Sequence, residues 1–515
     1  MNRPMRNIGF LLLMSLVISC SNRSGSETKT VVYSADWESL AAVNEEPEWF
    51  KDAKLGIYFH WGVYTVPAFG TEWYPRWMHF VDRVEYAHHL ENYGHPSEFA
   101  YHDFVPMFGA EHFDPAAWAD LFQKAGARFA GPVAEHHDGF SMWDSDITPW
   151  NAKDKGPKRD ICGELAEELR KRDMKLITTF HHARNLQRFD TATYEHISVL
   201  NDMERSTSWA SHYPYFQGMA PASDDPELKY LYGNMEEEQW LEEVWLGKIN
   251  EVLDKYHPDI IWFDGWLDSI PESYRMRMAA DYYNKAEAGN QEVVIVRKQN
   301  DLPLEMSVDD HEKTRMNYIG EKYWMTDETI STGSWSYTTD LKIKSSTEIL
   351  HILIDIVSKN GVLLLNVSPR ADGVIPEEQQ RVLLELGEWL SSYGEAIYGT
   401  RPWHTYGEGP TKEPESESGN RDAFLKLRYS KADFRYTQSG STIYAVQLGA
   451  PSPGEEILLE SFASASLSGP LNIVDVSVLG SEEEIGWSLE NEGLHLKAPL
   501  EVVNETALVY MINTH

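Results

Sequence analysis

The sequence predicts a (β/α)8 barrel of the TIM type, followed by a C-terminal all-β sandwich domain. In the predicted barrel domain, residues 37–404, eight short apolar runs with strand character alternate with amphipathic helical patterns, as in parallel α/β folds. Polar and reactive residues follow nearly every apolar run, which is where barrel enzymes place their active sites. In the predicted sandwich domain, residues 405–515, short strand-like runs alternate with turn residues and show little helical pattern.

Hydrophobic periodicity defines the predicted elements. The barrel strands are Leu55–Phe59, Phe129–Ala134, Leu176–Phe180, Ile260–Phe263, Val293–Val296, Met306–Val308, Tyr323–Met325 and Val362–Leu365. The helices between them are Pro115–Ala125, Asp160–Arg172, Glu236–Lys255, Pro271–Ala286 and Thr347–Lys359. No clear helical pattern separates the sixth strand from the seventh. The sandwich strands are Asp433–Thr437, Thr442–Leu448, Glu456–Leu459, Ile473–Leu479 and Ala507–Ile512.

The composition excludes several classes of function. The chain has 515 residues, of which 81 are Asp or Glu and 45 are Lys or Arg, giving a formal net charge of −36. Such an acidic protein would repel phosphate backbones and anionic lipids, so we expect neither nucleic-acid binding nor electrostatic attachment to membranes. The two cysteines, Cys20 and Cys162, are too few for a disulfide framework or a cysteine-based zinc site.

Residues 1–20 have the features of an export signal peptide: two arginines, an apolar run Ile8–Ile18 and a small residue before Cys20. The run Val17–Cys20 also resembles the bacterial lipobox, in which the cysteine becomes the acylated first residue. This interpretation predicts lipidation of Cys20, a flexible tether over residues 21–36, and an exported protein of a bacterial envelope. The protein would be periplasmic or held at a membrane only by its lipid anchor. The alternative is an ordinary secretory signal in which Cys20 is incidental.

An insertion between the third and fourth predicted strands has two alternative roles. The segment Asn185–Met235 is rich in Tyr, Trp, Met and Ser. It forms either a lid or a substrate subsite, or else a surface segment with no part in substrate binding.

The clearest local indication of chemistry is the apolar strand Ile260–Phe263 followed by Asp264. This order places one carboxylate at the barrel mouth, although a strand-end Asp is often a helix cap. Hydrolysis of a glycosidic bond needs a second carboxyl group, which a later strand should supply. Glu312, in the acidic run Asp309–Glu312, is our choice because clustered acids raise one another's pKa, as a general acid requires. The alternatives are an acidic loop in water, or a general acid supplied by Glu328, Glu321 or Asp310.

Histidines, acids and aromatic rings also follow the first two predicted strands. The runs His60-Trp61, Glu72-Trp73 and His136-His137-Asp138 combine hydrogen-bonding groups with flat rings, which suits a hydroxyl-rich sugar. The same histidines could bind a metal, but adjacent residues of a strand point to opposite faces, so His136 and His137 are poorly placed to chelate one ion. No HExxH spacing occurs either. We therefore expect no metal and no cofactor.

Several ordered segments resemble the α-L-fucosidases of glycoside hydrolase family 29. In chain order they are Trp49–Gly62, Glu72–Tyr74, His136–Phe140, Arg159–Leu165, Trp262–Gly265, Ser334–Tyr337, Leu365–Pro369 and Gly394–Tyr398. The resemblance implies a retaining exo-glycosidase that hydrolyses terminal α-L-fucosyl linkages of oligosaccharides or glycoconjugates with two carboxylates. It also implies a (β/α)8 barrel, a C-terminal β-sandwich and no required metal.

The resemblance assigns roles to particular residues. Asp264 falls where the family has its nucleophile. Glu312 stands at about the family's usual spacing before Trp335 for the general acid/base, with Glu328 as the alternative. The positions that contact the fucose in family members are occupied by His60, Glu72, Trp73, His136, His137, Trp262 and Arg297, and an aromatic position of the same pocket by Trp335.

Three departures from the family pattern bear on the leaving-group preference. The segment Val296–Asn300 reads VRKQN where the family usually has NDRWG, Ser336 replaces a glycine, and Met325 follows Trp324 where an acid is common. Three alternative functions stay open. They are a related glycosidase acting on L-galactose or a modified fucoside, a non-catalytic sugar-binding lipoprotein, and a metal-dependent hydrolase that uses the histidines.

Overall fold

Eight parallel strands close into a barrel in the computed structural model of the chain, which describes residues 31–42, 45–187, 211–215, 218–265, 267–415, 418–467 and 469–515. The strands are β1 (Leu55–Phe59), β2 (Phe129–Glu135), β3 (Lys175–Phe180), β4 (Ile260–Phe263), β5 (Val294–Lys298), β6 (Val308–Asp310), β7 (Trp324–Thr329) and β8 (Gly361–Val367). Each strand pairs with the next in chain order, and β8 closes the barrel by pairing with β1. The predicted barrel is confirmed.

The strands differ from the predicted ones mainly at their carboxyl ends. β1 and β4 have the predicted bounds, whereas β6 and β7 extend beyond the apolar runs to Asp310 and Thr329. Hydrophobic periodicity does not identify these ends, because buried polar residues such as Asp310 and Asp327 occupy them and line a cavity at the barrel mouth. The described stretch 311–323 between β6 and β7 contains no helix.

Helices surround the barrel and bury their apolar faces against its outer surface. The longer ones are Val84–Asn92, Pro115–Lys124, Ile161–Arg170, Gly247–Tyr256, Glu272–Ala288, Ser346–Ser358 and Glu377–Tyr393. Shorter ones are Trp37–Leu40, Glu48–Ala53, Tyr74–Trp77, Leu228–Tyr232, Glu237–Gln239 and Arg421–Lys426. The predicted helix Glu236–Lys255 is interrupted by a π-helical segment, Trp240–Leu246.

The barrel interior is an apolar core separate from the layer beneath the helices. Alternate residues of a strand point to opposite faces, and the inward set includes Trp262 of β4 together with Val294 and Val296 of β5. Ile295 of β5 belongs instead to the outer core. The next inward position on β5 is therefore Lys298.

Two antiparallel sheets form the C-terminal domain. Their strands are β9 (Arg401–Glu408), β10 (Phe434–Ser439), β11 (Thr442–Gln447), β12 (Glu456–Leu459), β13 (Ile473–Val478), β14 (Trp487–Glu490), β15 (Gly493–Lys497) and β16 (Leu508–Thr514). The first sheet has the order β13-β16-β11-β10-β9 and the second the order β12-β15-β14. The sheets share one apolar core, in which the rings of Tyr436 and Phe462 lie 5.8 Å apart, so the predicted sandwich is confirmed.

The sequence did not predict strands β9, β14 and β15. β9 crosses the position 404/405 at which we divided the domains, and it pairs with β10 in the larger sheet. The residues of β14 are mostly exposed, so they form no apolar run from which a strand could be predicted.

A buried network of charges joins the barrel to the C-terminal domain. Asp355, on a barrel helix, accepts hydrogen bonds from Arg435 Nε of β10 at 2.6 Å and from Lys359 Nζ at 2.9 Å, and Arg315 Nε lies 3.1 Å away. Lys359 and Arg435 also pair with Glu413. Burial opposes ionisation of Asp355, but these cations hold its pKa well below the usual range.

Some predictions concern residues outside those that the structure describes. They are the signal peptide over residues 1–20 with Cys20, residues 21–30 of the tether, and residues 188–210 and 216–217 of the insertion. The remaining tether residues, 31–36, lie against a barrel helix, where the Tyr33 N–H donates to Asn284 Oδ1 at 2.8 Å. Within the described ranges, no helix combines the length and the apolar character needed to cross a bilayer.

We expect the substitution Asp355→Asn to destabilise the protein, because it leaves Arg315, Lys359 and Arg435 close together without their shared carboxylate. Removing one member of a buried ion network typically costs about 3–5 kcal/mol. Urea denaturation followed by tryptophan fluorescence would measure the loss of unfolding free energy. Arg381→Ala, which removes an exposed partner of Glu385, is the control and should cost less than about 1 kcal/mol.

The same variant has a predicted pH dependence. Folding lowers the pKa of Asp355, so its contribution to stability is present above the pKa of about 4 in the unfolded chain and is lost as the pH falls through the folded-state pKa. The stability difference between wild type and Asp355→Asn should therefore shrink in acid. A variant as stable as the wild type at pH 7 would contradict this account.

Candidate active site

A cavity of about 810 Å³ opens at the carboxyl ends of the barrel strands. Its lining includes His60 directly after β1, His181 directly after β3 and Asp264 directly after β4. The volume lies in the upper part of the roughly 300–1,000 Å³ range of pockets that enclose small ligands. Because barrel enzymes react at this end of the strands, the cavity is the candidate active site.

Asp264 faces the cavity as an ionised carboxylate. Its Oδ1 accepts a hydrogen bond from Lys298 Nζ at 2.7 Å, and its Oδ2 lies 3.1 Å from His137 Nε2. Burial raises the pKa of Asp264, but the charge on Lys298 outweighs burial and holds the pKa well below its usual range. Asp264 still has 21% of its side chain exposed, so a ligand in the cavity can reach it.

Glu312, in the loop after β6, faces Asp264 across Lys298. Lys298 Nζ lies 2.7 Å from Asp264 Oδ1 and 2.6 Å from Glu312 Oε2. The two carboxylate oxygens can be no farther apart than the sum of these distances. That limit lies below the roughly 6.5–9.5 Å carboxyl separation of inverting glycosidases, so the pair is too close for that mechanism.

The pKa of Glu312 differs from the one expected from the sequence. We expected neighbouring acids to raise it, and this expectation is wrong. Burial does raise the pKa, but Lys298 and Arg421, whose Nη2 lies 2.7 Å from Glu312 Oε2, outweigh burial and lower it. The acidic run therefore matters less for Glu312 than two cations supplied by other parts of the chain.

Lys298, and not Arg297, reaches the cavity from β5, which corrects the prediction that Arg297 contacts the substrate. Lys298 points inward like Val296, so Arg297 points outward and is not among the residues that line the cavity. On the outer face of the strand, Arg297 Nε donates to Asp309 Oδ1 at 3.1 Å, and Nη1 of the same guanidinium donates to the carbonyl of Leu302. The pleat of the strand, with its period of two, is the physical reason.

Two histidines flank Asp264. His137 Nδ1 donates to the backbone carbonyl of His181, which turns Nε2 of the same ring toward Asp264. His181 Nδ1 lies 3.6 Å from the same carboxylate oxygen. Burial lowers the pKa of both histidines, although the nearby carboxylate opposes the shift.

Asn366 of β8 orients His60. Asn366 Oδ1 accepts hydrogen bonds from the His60 backbone N–H at 2.9 Å and from its ring Nδ1 at 2.8 Å. An amide oxygen only accepts, so Nδ1 carries the proton and Nε2 is left as an acceptor. Burial lowers the pKa of His60 to about 3, so the ring is neutral. The ring of Trp335 stacks against it with centroids 5.3 Å apart.

Glu72, Trp73 and Trp335, which the resemblance assigns to the sugar-binding pocket, all line the cavity. Glu72 Oε2 accepts hydrogen bonds from the Trp335 N–H and from Ser334 Oγ, both at 3.2 Å, and burial raises the pKa of Glu72. The ring of Trp73 lies 5.4 Å from that of His212, which belongs to the insertion. This part of the insertion therefore packs against a residue that lines the cavity.

His136 and Trp262, which the resemblance also assigns to substrate contact, line the cavity as well. The rings of His136 and His137 lie only 4.5 Å apart, and both reach the cavity. Our expectation that these neighbours point to opposite faces is wrong, because β2 ends at Glu135 and the alternation of the strand stops there. Trp262 belongs to the inner core of the barrel and closes the floor of the cavity.

The alternative acids have other partners. Glu328 lines the cavity, but its Oε1 lies 3.3 Å from Lys344 Nζ. Asp310 also lines the cavity and accepts the backbone N–H of Asp327 at 3.0 Å; burial and the charge of Asp327 raise its pKa well above the usual range. Glu321 is exposed and is not part of the lining. The shared cation favours Glu312 as the partner of Asp264.

Among the described residues near the cavity, two groups have the spacing of a metal site. The ligand atoms of His60, His136 and His181 lie within 4.8 Å of one another, as do those of His137, His181 and Asp264. In the second group the carboxylate already bonds a lysine ammonium at 2.7 Å, which would repel a metal ion. In the first, an amide oxygen holds Nδ1 of His60 and leaves Nε2 unprotonated, so this group keeps the geometry of a metal site. The same imidazoles also suit hydrogen bonds to a hydroxyl-rich ligand.

Comparison with known families now decides the class of this site. A family profile described as Alpha-L-fucosidase matches residues 20–395, which is most of the chain. The chain belongs to the α-L-fucosidase family. The resemblance to glycoside hydrolase family 29 is thus confirmed, and this family member is an enzyme, a glycoside hydrolase.

Individual α-L-fucosidases match nearly the whole chain. Tissue α-L-fucosidase of Rattus norvegicus is 30% identical over 510 residues, which cover 96% of this chain and 93% of the relative. Tissue α-L-fucosidase of Homo sapiens is 30% identical over 515 residues, covering 97% and 94%. The structure of Thermotoga maritima α-fucosidase in complex with fucose matches with a TM-score of 0.70 at 27% identity, covering 93% of this chain and 100% of that chain.

Sequence reasoning missed Lys298 and Arg421 as residues of this family member's pocket, and it gave no role to His181. Lys298 shares the inward parity of Val296, and His181 directly follows β3, so both carried a signal that could have identified them. Arg421 carried none, because it lies 109 residues from Glu312 in the chain and outside the barrel strands.

We expect Lys298→Met to raise the pKa of Asp264, because the substitution removes the cation that favours the ionised carboxylate. The acid limb of kcat/KM against pH, which reports ionisation of an essential base in the free enzyme, should move up by about 1–3 pH units. Arg297→Met removes a cation from the opposite face of β5 and should leave that limb in place. If the acid limb shifts only in Arg297→Met, then Arg297 and not Lys298 is the cation that sets the pKa of Asp264.

Proposed function

We propose that the chain is a retaining, exo-acting α-L-fucosidase that removes terminal α-L-fucosyl units from oligosaccharides or glycoconjugates. The observation that carries the proposal is the carboxylate pair Asp264 and Glu312, both in contact with Lys298 and closer together than the roughly 6.5–9.5 Å of inverting glycosidases. The description of the Thermotoga maritima structure, which names fucose as its ligand, supports the substrate class.

Asp264 carries out the first step as the nucleophile. One of its oxygens bonds to the anomeric carbon as the bond from that carbon to the leaving oxygen breaks. Glu312 gives its proton to the leaving oxygen, so the remainder of the glycan departs as a neutral alcohol. The low pKa of Asp264 suits this role, since it keeps the attacking group ionised.

Water completes the second step. Glu312, now a carboxylate, takes a proton from water as the water oxygen attacks the anomeric carbon and Asp264 leaves as a carboxylate. Two inversions give net retention. While Asp264 is esterified it carries no charge, so Glu312 loses an anionic neighbour that raised its pKa. This loss favours the basic form in the step where a base is needed.

Lys298 has to release Glu312 before the first step. In the arrangement described above Lys298 lowers the pKa of Glu312, which opposes proton donation. A sugar ring entering between the two carboxylates lengthens this contact, and the flexible four-carbon stem of lysine permits the movement. Lys298 then stays with Asp264, and Glu312 takes up a proton.

The remaining lining groups suit the end of a sugar chain. His60 Nε2 is an acceptor, Glu72 is a buried carboxyl group, and the rings of Trp262 and Trp335 offer flat apolar faces. The inner core of the barrel closes the floor of the cavity. Because a packed floor is common to barrel enzymes, the proposal of exo action rests on the resemblance to the family.

The location of the enzyme is a separate proposal that rests on the sequence of residues 1–20. The basic residues, the apolar run and the lipobox-like end support export, cleavage before Cys20 and acylation of that cysteine. The lipid chains would hold the protein at a membrane of a bacterial envelope and leave the barrel in water.

The stereochemistry of the first product tests the mechanism. With 2-chloro-4-nitrophenyl α-L-fucoside as substrate, NMR should detect α-L-fucose before β-L-fucose. Asp264→Gly should reduce kcat by roughly 10⁴–10⁶-fold, and azide should restore turnover by forming β-L-fucosyl azide. The mechanism is wrong if β-L-fucose forms first, and Asp264 is not the nucleophile if the glycine variant keeps full activity.

The acid/base assignment predicts a dependence on the leaving group. Glu312→Ala should lose about 10²–10⁴-fold in kcat/KM on a fucosylated oligosaccharide, but far less on the aryl fucoside, whose leaving group needs little protonation. Glu328→Ala is the matched comparison, because that acid also lines the cavity but pairs with Lys344. If Glu328→Ala has the leaving-group pattern instead, the assignment to Glu312 is wrong.

Lipidation predicts that Cys20 takes up fatty acid. Cells expressing the full chain and fed radioactive palmitate should label the wild type, and Cys20→Ala should remove the label because no other thiol follows the signal directly. Cys162→Ala is the control, since that thiol is buried. Equal labelling of the wild type and Cys20→Ala would contradict the anchor.

A further inference from the structure

The helix Arg421–Lys426 lies in the stretch between β9 and β10, outside the barrel, and yet it borders the active-site cavity. Arg421, Asp422 and Leu425 are the cavity-lining residues of this helix. Positions 421 and 425 lie one turn apart on the same face of a helix. The cavity wall is therefore shared between the barrel and a segment that follows it in the chain.

Contacts with the barrel hold this helix in place. Phe424 is 3% exposed, and the guanidinium of Arg315 lies 4.9 Å from the centre of its ring. Just beyond the helix, Arg428 pairs with Glu348 of a barrel helix. The helix is thus a packed part of the wall.

Arg421 is bonded directly to the proposed acid/base. Its Nη2 lies 2.7 Å from Glu312 Oε2, the same oxygen that Lys298 contacts at 2.6 Å. Two cations on one oxygen concentrate the negative charge there and leave Oε1 for the catalytic proton.

We propose that the helix Arg421–Lys426 forms the leaving-group side of the pocket, with Arg421 positioning Glu312 and with Asp422 and Leu425 contacting the sugar that departs. This inference rests on the proposed function, because a general acid stands beside the bond that it breaks and groups beyond it border the leaving group. Arg421 and Asp422 can bond sugar hydroxyls, and Leu425 can pack against a C–H face.

Charged and titratable groups from several elements face Glu312. They are Tyr58 of β1, Asp264 after β4, Lys298 of β5, Asp310 of β6, Asp327 of β7 and Arg421. Removing Arg421 leaves Lys298 in place. The pKa of Glu312 should therefore rise, but stay below that of a buried acid with no cation beside it. In the free enzyme the basic limb of kcat/KM against pH reports this pKa, and it should move to higher pH.

The test compares one activated and one natural leaving group. The activated substrate is 2-chloro-4-nitrophenyl α-L-fucoside, and the natural one is whichever α1,2-, α1,3-, α1,4- or α1,6-fucosylated disaccharide the wild type cleaves best. Arg421→Met should lose about tenfold or more in kcat/KM on the disaccharide and about threefold or less on the aryl fucoside. Its basic limb should move up by about half a pH unit, the size expected for a partly exposed ion pair.

Two further variants extend the test to charge and to sugar contact. Arg421→Lys keeps the charge and should keep the basic limb. Asp422→Asn should raise KM for the disaccharide alone, with kcat on the aryl fucoside within about twofold. Lys426→Met, which removes an exposed cation of the same helix outside the cavity lining, is the control and should behave like the wild type on both substrates.

The outcomes separate this inference from the proposed function. A wild type that cleaves no fucoside overturns both. If the wild type is active and Arg421→Met loses kcat/KM equally on both substrates without a shift of the basic limb, the inference is wrong. The proposed function then still stands. If Arg421→Met does not fold, the basic limb of Arg421→Lys and the KM of Asp422→Asn test the inference instead. An unchanged KM of Asp422→Asn for the disaccharide would show that the helix does not form the leaving-group side of the pocket.

Discussion

The ammonium group of Lys298 lies between two carboxylates, and the chemistry of the pocket depends on this arrangement. It holds Asp264 and Glu312 closer together than the carboxyl groups of inverting glycosidases, and it keeps Asp264 ionised in a buried setting. Without the cation, burial and mutual repulsion would favour protonation of one of the two acids. Lys298 also opposes the acid role proposed for Glu312, so the proposed mechanism requires the contact between Lys298 and Glu312 to lengthen when a sugar enters.

Two structural constraints hold this arrangement together. The pleat of β5 turns Lys298 into the barrel, and the closed barrel brings the end of β4 and the loop after β6 to the same mouth. The C-terminal domain adds a second constraint through the charges around Asp355, which fix it to a barrel helix. That attachment allows Arg421, from outside the barrel, to reach Glu312.

Most of the fold could be predicted from the sequence, because apolar runs and helical periodicity follow directly from burial. Such patterns did not identify β9, β14 and β15, or the polar ends of β6 and β7, where exposed or pocket-lining residues replace the apolar run. In the site, the sequence motifs identified Asp264 and the neighbouring residues that line the same cavity. They led to Arg297 in place of Lys298, since a motif match does not register the face of a strand. Arg421 depends on a tertiary contact that no local pattern encodes.

Covalent trapping measures the central claim most directly. The enzyme would be incubated with 2-deoxy-2-fluoro-α-L-fucosyl fluoride, digested with a protease and mapped by mass spectrometry. The fluorine slows hydrolysis of the intermediate, so a nucleophilic carboxylate should accumulate as its sugar ester. We expect one 2-fluorofucosyl group on the peptide that contains Asp264, and none on the peptides that contain Lys298 and Glu312. A label on another acid, or steady turnover with no labelled peptide, would contradict the account.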